Sequence, residues 1–287
     1  MSTRDDLASG VRNQQHNLAG NYAPLVPTDL ERALAFGEVL RTRCAERIVP
    51  FRFGRAYFND SHPRVWYLNG LVVEGKKDVD PGELAAEAEL LHTDAGQTHR
   101  RCDVLDEAVG ARLEQFFRRI GWRIEQELVM AHRGGGDRAQ DTSIVEEVTG
   151  EDLLPLRREI DRAEPWATDE EIVDEILDAN RLWQAAGNAR YFAVRVGGAP
   201  VAAADLYSEG RVAQVETVAT LPAYRDRGYA SAVVLRAVEE ARTDGHDLVF
   251  IDADAGDWPK DLYARLGFEE IGKTWSFLRT PARIPLT

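Results

Sequence analysis

Arg225-Asp226-Arg227-Gly228-Tyr229-Ala230 places two fixed positive charges and a glycine at a predicted strand-to-helix junction. Small residues there let backbone N–H groups approach a ligand closely, and a helix N-terminus adds partial positive charge. The chemistry that suits such a loop is anion binding. A plain helix start has the same form, so the flanking elements decide between them. An alternating run, Val212 to Thr220, leads in through Leu221-Pro222, and an amphipathic helix from about Gly228 to Thr243 leads out.

The elements that position this loop are legible around it. Ile144 to Val148 reads as a strand, and helices start at Gly150-Glu151-Asp152 and Thr168-Asp169. Tyr191 to Val196 and Val201 to Tyr207 form a hairpin through Gly197-Gly198. Leu248-Val249-Phe250-Ile251 is an apolar run of buried-strand type. A helix follows that Asp257 can cap, and strands fill Phe268 to Thr280. The order β-α-α-β-β-β-α-β-α-β-β predicts a mixed sheet with helices on both faces. Earlier in the chain, Thr28-Asp29-Leu30-Glu31 has the form of a helix N-cap, and Val65 to Val73 reads as strand. Gly82 to Leu91 reads as helix, His99 to Leu105 as strand, Gly110 to Ile120 as helix and Trp122 to Ala131 as strand.

Phe116-Phe117-Arg118-Arg119-Ile120-Gly121-Trp122 matches Leu262-Tyr263-Ala264-Arg265-Leu266-Gly267-Phe268 position by position, each at a helix-to-strand passage. This repeat, with the similar order of elements before it, predicts a duplicated domain. The expected division is a polar arm over 1–20, a first copy over 21–132, a Gly-rich linker over 133–142 and a second copy over 143–287. The first copy has Phe117 where the second has Tyr263, and nothing in it matches the Arg/Gly loop.

With 287 residues, 44% of them hydrophobic, the chain can bury a sizeable core. A formal net charge of -14 opposes nucleic-acid binding and mildly favours cationic small molecules. Two cysteines, Cys44 and Cys102, make no disulfide framework, and the histidines show no ligand pairing, so no metal is implied. No apolar run approaches membrane-spanning length and the first residues are no signal peptide, which predicts a cytoplasmic protein, monomer or homodimer. Gly267 to Thr274 satisfies the Walker A pattern, but a helix precedes it and a strand follows, the reverse of a P-loop. Asp252 to Asp257 echoes a calcium loop, yet Tyr263 stands where the bidentate Glu belongs.

Arg225 to Ala230 fits the R/Q-x-x-G-x-G/A motif of GCN5-related N-acetyltransferases, and Leu262 to Phe268 resembles that family's last motif at the right distance downstream. The resemblance covers residues 143–280 closely and 22–132 in outline, similar to tandem acetyltransferases with a degenerate first copy. It implies an α/β (α+β) fold of two tandem domains, each a mixed, mostly antiparallel twisted sheet flanked by helices. It also implies acetyl-CoA as co-substrate and a small-molecule amine or peptide as acceptor. Val218, Ala219 and Thr220 would line pantetheine, and Arg225, Asp226, Arg227, Gly228, Tyr229, Ala230 and Ser231 would hold the pyrophosphate. Tyr263 would protonate the leaving thiolate, and Glu216 would take the amine's proton, on a face shared by period two with Gln214 and Val218 unless a bulge upsets the parity. In the loop between the first two helices, Glu164 would attract a cation and Trp166 would stack on it. Each has a bland alternative: a core tyrosine, a solvated strand-face Glu, a packed Trp. A non-catalytic acyl-CoA-binding regulator and an interaction protein working through its first half are the competing functions.

Overall fold

A computed structural model describes residues 26–75, 78–136 and 140–280. The expected polar arm over 1–20 lies outside the described residues, as does the middle of the Gly-rich segment. Thr28 opens α1 (Asp29–Cys44) with a capping box completed by Glu31. There follow β1 (Arg47–Phe51), β2 (Gly54–Phe58), β3 (Gly70–Val73), α2 (Pro81–Asp94), β4 (Arg100–Val104), α3 (Glu107–Arg119) and β5 (Arg123–His132). The second half comprises β6 (Val145–Val148), α4 (Gly150–Arg162), α5 (Glu170–Ala186), β7 (Arg190–Val196), β8 (Ala199–Glu209), β9 (Val212–Thr220), α6 (Tyr229–Thr243), β10 (Leu248–Asp254), α7 (Pro259–Arg265) and β11 (Phe268–Arg279).

The predicted repeat is visible in this order. From β1 to β5 and from β7 to β11 the chain runs β-β-β-α-β-α-β, and in each run two antiparallel pairings precede a parallel one. The sequence reading missed β1 and β2, whose short run is interrupted by Pro50; β1 is an edge strand, where a missing N–H costs no ladder bond. It also extended β3 too far back. Residues Trp66–Leu68 form a 3-10 turn because buried Asn69 fastens it, donating to the carbonyls of His62 (2.8 Å) and Val65 (2.9 Å). At the other end, one long strand with an irregularity between Glu270 and Gly272 replaces the two expected.

Among the described residues the strands form one sheet of 11, in the order β1-β2-β3-β4-β11-β5-β10-β9-β8-β7-β6. Its centre is an exchange. β5, from the first half, lies between β10 and β11; β11, from the second, lies between β4 and β5, and every one of these pairings is antiparallel. Gly110 and Gly272 show how closely the layers meet there. A Cβ on Gly110 of α3 would fall 2.6 Å from the Trp275 ring on β11, and one on Gly272 would fall 2.5 Å from Leu30 of α1. On one face α6 packs over β7 to β10, with Val233, Val234, Ala237 and Val238 in its seam, while α2 and α3 cover the first half. On the other face α1 and α5 lie against Val129, Ala131, Leu248 and Phe250. Gly267 to Thr274 runs from the end of α7 into β11, so the Walker-like string forms no phosphate loop.

Candidate active site

β9 pairs with β8 along nearly its whole length but with β10 only from Val212 to Val215, opposite Leu248 to Ile251. Past that point β9 runs on to Thr220 and β10 to Asp254 without pairing with each other, which leaves the β10-facing edge of residues 216–220 open. A bulge marks where they part. Ala203 faces Ala219 and Asp205 faces Glu216, and Thr217 at the bulge has φ of 51°. The expected common face of Gln214, Glu216 and Val218 is therefore broken: Val218 packs onto the core beneath α6, whereas Gln214 and Glu216 meet on the α1/α5 face. The extra residue shifts the two-residue period by one.

The loop after β9 turns through a 3-10 segment, Pro222–Tyr224. Asp226 (φ 61°) and Gly228 (φ 80°) are both left-handed, a backbone arrangement that turns successive N–H groups to one side. Gly228 is the N-cap of α6 and no side chain caps the helix, so the N–H groups of its first turn are offered to whatever lies in front. Exposed Arg225 and Arg227 donate to the Thr220 and Ala223 carbonyls (3.3 and 3.2 Å), and the Arg227 guanidinium lies 5.3 Å from the Tyr224 ring centre. Tyr229 and Ala230 are half-buried behind the loop, and Ser231 is buried. Thr220 Oγ1, at the end of the open edge, is buried without a hydrogen-bond partner.

Tyr263, on α7, is 7% exposed and packs in the same core cluster as Val218, its ring centre 6.1 Å from that of Phe268. Burial pushes its phenol above the usual range, and the charges of Glu216 and Asp257 add to the effect. The phenol therefore holds its proton at neutral pH. Glu164 is exposed and Trp166 half-buried, on a turn closed by the Ala167 N–H to the Glu164 carbonyl (3.0 Å).

Sequence reasoning missed a run of carboxylates across the sheet. Asp205 on β8 stands opposite Glu216 on β9; the amide of Gln214 donates to Asp252 on β10 (3.0 Å) and to Glu216 (3.4 Å); and Glu127 of β5 stands opposite Asp254 on β10. Burial, then Asp252, Glu127 and Asp205, hold the Glu216 carboxyl well above the usual range. Burial and Glu127 push Asp252 up to about 8, with Arg41 opposing. Glu127 is exposed on β5; crowding by the surrounding protein, with Asp103 and Glu125, raises its carboxyl against the pull of Arg101. Asp205 is fully buried and accepts from Arg157 (2.6 Å), Gln184 and Tyr207 (both 3.3 Å); even so, burial raises it to about 6. In sequence, Asp252 ends an apolar strand and Glu127 sits in a polar one. Only the alternation Leu248, Phe250, Asp252 hinted that one of them continues a buried face. Among the described residues, no group of three or more His, Cys, Asp or Glu is placed to hold a metal ion, and no helix is long and apolar enough to cross a membrane.

Residues 153–268 match the family model of the acetyltransferase (GNAT) family. A GCN5-related N-acetyltransferase from Kribbella flavida is similar in structure over 90% of this chain and 98% of its own, at 18% identity and a TM-score of 0.63. A functionally unknown conserved protein from Staphylococcus epidermidis is similar over 83% of this chain and 94% of its own, at 14% identity and a TM-score of 0.61. A GCN5-related N-acetyltransferase from Sphaerobacter thermophilus covers 69% of this chain and 67% of its own, with 15% identity and a TM-score of 0.50. No curated protein matches the sequence.

Proposed function

We propose that this chain, whose residues 153–268 match the model of the acetyltransferase (GNAT) family, transfers an acetyl group from acetyl-CoA to an amine. The observation that carries this reading is the meeting of an uncapped α6 N-terminus with the open edge of β9. Pyrophosphate suits the N–H groups at Gly228 to Ser231, and pantetheine can lie along Val218 to Thr220 as an added strand. The unpartnered Thr220 hydroxyl fits a polar ligand at that edge.

In the reaction the amine nitrogen bonds to the thioester carbonyl carbon and the C–S bond breaks. Backbone N–H groups near Val218 steady the charge that develops on the carbonyl oxygen. Tyr263 gives its proton to the departing thiolate. Glu216 accepts the proton that the nitrogen loses. A carboxyl with a raised pKa is the stronger base once an arriving cation has displaced its own proton.

A thiol-release assay against a panel of amines tests the function. Steady turnover is the expected result. CoA binding without turnover on any amine points instead to a regulator that senses acyl-CoA, and absence of CoA binding removes both readings. Tyr263→Phe is expected to lower kcat about tenfold or more with CoA affinity retained, since the ring still fills its place in the core. Unchanged kcat at saturating substrates would remove Tyr263 as the acid.

A further inference from the structure

Resting on that reading of the site, we propose that the acceptor is an amine bearing a second positive charge. Its reacting nitrogen sits at Glu216 and its other cationic group sits over Asp252 and Glu127, so the half without the phosphate loop completes the acceptor site. The exchange of strands is what makes this possible: β5 belongs to the first half, yet it is hydrogen-bonded to β10 of the second and brings Glu127 beside Asp254, two residues along the same face from Asp252.

Two features at the parting of β9 and β10 point to a ligand. Asp252 Oδ1 is closed off from solvent and has no hydrogen-bond partner, while its Oδ2 is held by Gln214, so half of the carboxylate is positioned and left to be satisfied. A single amide nitrogen bonds both Glu216 and Asp252, which fixes the two acids as neighbours at the point where β9 and β10 part. The remaining charges nearby are largely engaged with one another. Arg157 pairs with Asp205, Arg101 with Asp103, and Arg123 with Glu125, while Arg41 of α1 opposes the charge of Glu127 and Asp252. Against two opposing arginines, Arg101 and Arg41, stand three carboxyls, Glu216, Asp252 and Glu127. Crowding by the protein and repulsion from neighbouring acids raise all three carboxyls, which favours a cation among them. A monoamine answers one of these charges; a diamine answers two and meets Asp252 as well.

The probes are 1,4-diaminobutane and 1-aminobutane, of equal carbon count, with the full chain. The diamine is expected to exceed the monoamine at least about a hundredfold in kcat/KM and about tenfold in calorimetric affinity. Its binding at pH 7 should release protons, read as a dependence of the binding heat on the buffer's ionisation heat, because the cation favours the ionised carboxylates. Glu127→Gln should raise KM for the diamine about tenfold with kcat within about threefold, shrink the diamine preference, and give a melting temperature no lower than the parent's, since a like charge is removed. Equal handling of the two amines, binding without proton release, or a kcat loss in E127Q without a rise in KM would each overturn the proposal. Diamine binding with proton release but no thiol release would instead overturn acetyl transfer and leave this inference standing; unselective transfer to monoamines would do the reverse.

Discussion

Gly228→Pro is expected to remove the proposed acetyl-CoA binding: calorimetry should show the dissociation constant for CoA at least about a hundredfold weaker, with far-UV circular dichroism still that of a folded protein. The reason lies in the backbone. Gly228 has φ of 80°, proline is confined near −65°, and proline also restricts the residue before it, here Arg227. The left-handed pair at Asp226 and Gly228, which gathers the N–H groups in front of α6, is lost with the substitution. Helix α6 itself begins at Tyr229, and its seam of Val233, Val234, Ala237 and Val238 remains buried, so the loss falls on the loop and not on the core. Asp226→Gly keeps the left-handed backbone and is expected to change CoA affinity by no more than about threefold. A comparable loss in both variants would mean that side-chain charge, not backbone shape, holds the anion.

Arg157→Ala is the expected large effect on stability. Asp205 is fully buried, and among the described residues Arg157 is its one cationic partner within hydrogen-bond distance; Gln184 and Tyr207 lie farther off, at 3.3 Å. Removing one member of such a pair costs about 3–5 kcal/mol because the other is left buried and uncompensated. The pH dependence has a definite sign. Asp205 already has a folded-state pKa raised to about 6 by burial, above its unfolded value of about 4, so the proton it binds favours the folded state. That contribution is complete below pH 4 and is lost as pH rises through about 6. Without Arg157 the carboxyl rises further, the loss extends to higher pH, and the deficit against the parent should be larger at pH 8 than at pH 5. Denaturant melts at the two pH values measure it; a deficit independent of pH would mean that lost packing of Arg157 against the Tyr191 ring is responsible, not the orphaned acid.

What could be read from the sequence was what neighbouring residues decide among themselves. Thr28 and Glu31 fix the start of α1, Gly197-Gly198 fixes a hairpin, and Arg225 to Ala230 announces its turn, because caps and turns depend on residues a few positions apart. The matching heptads at Phe116 and Leu262 disclosed the duplication. They could not disclose the exchange, since strands so alike in their approach offer the same edges to either sheet, and the choice between them is settled by contacts far apart in sequence. The face of Val218 was lost to a bulge, one residue that alternation cannot show. Glu127 and Asp252 were lost for the same reason as the exchange: each looks like an ordinary polar strand residue until the other half of the chain lies beside it.

The exchanged strands also govern how the molecule can be made. β5 leaves the ribosome long before β10 and β11, its two neighbours among the described strands, and until they arrive both of its edges stay open. The first half cannot close on its own, because the gap between β4 and β5 is the place of β11. Assembly therefore waits on translation of the second half, and a chain interrupted after β5 presents two unpaired edges to its neighbours, the condition under which nascent proteins aggregate. The same dependence bears on the gene. A deletion of the copy without the phosphate loop would open the sheet of the copy that has it, between β10 and β11. Without such a loop, the first half still supplies the strand that fills the sheet of the second.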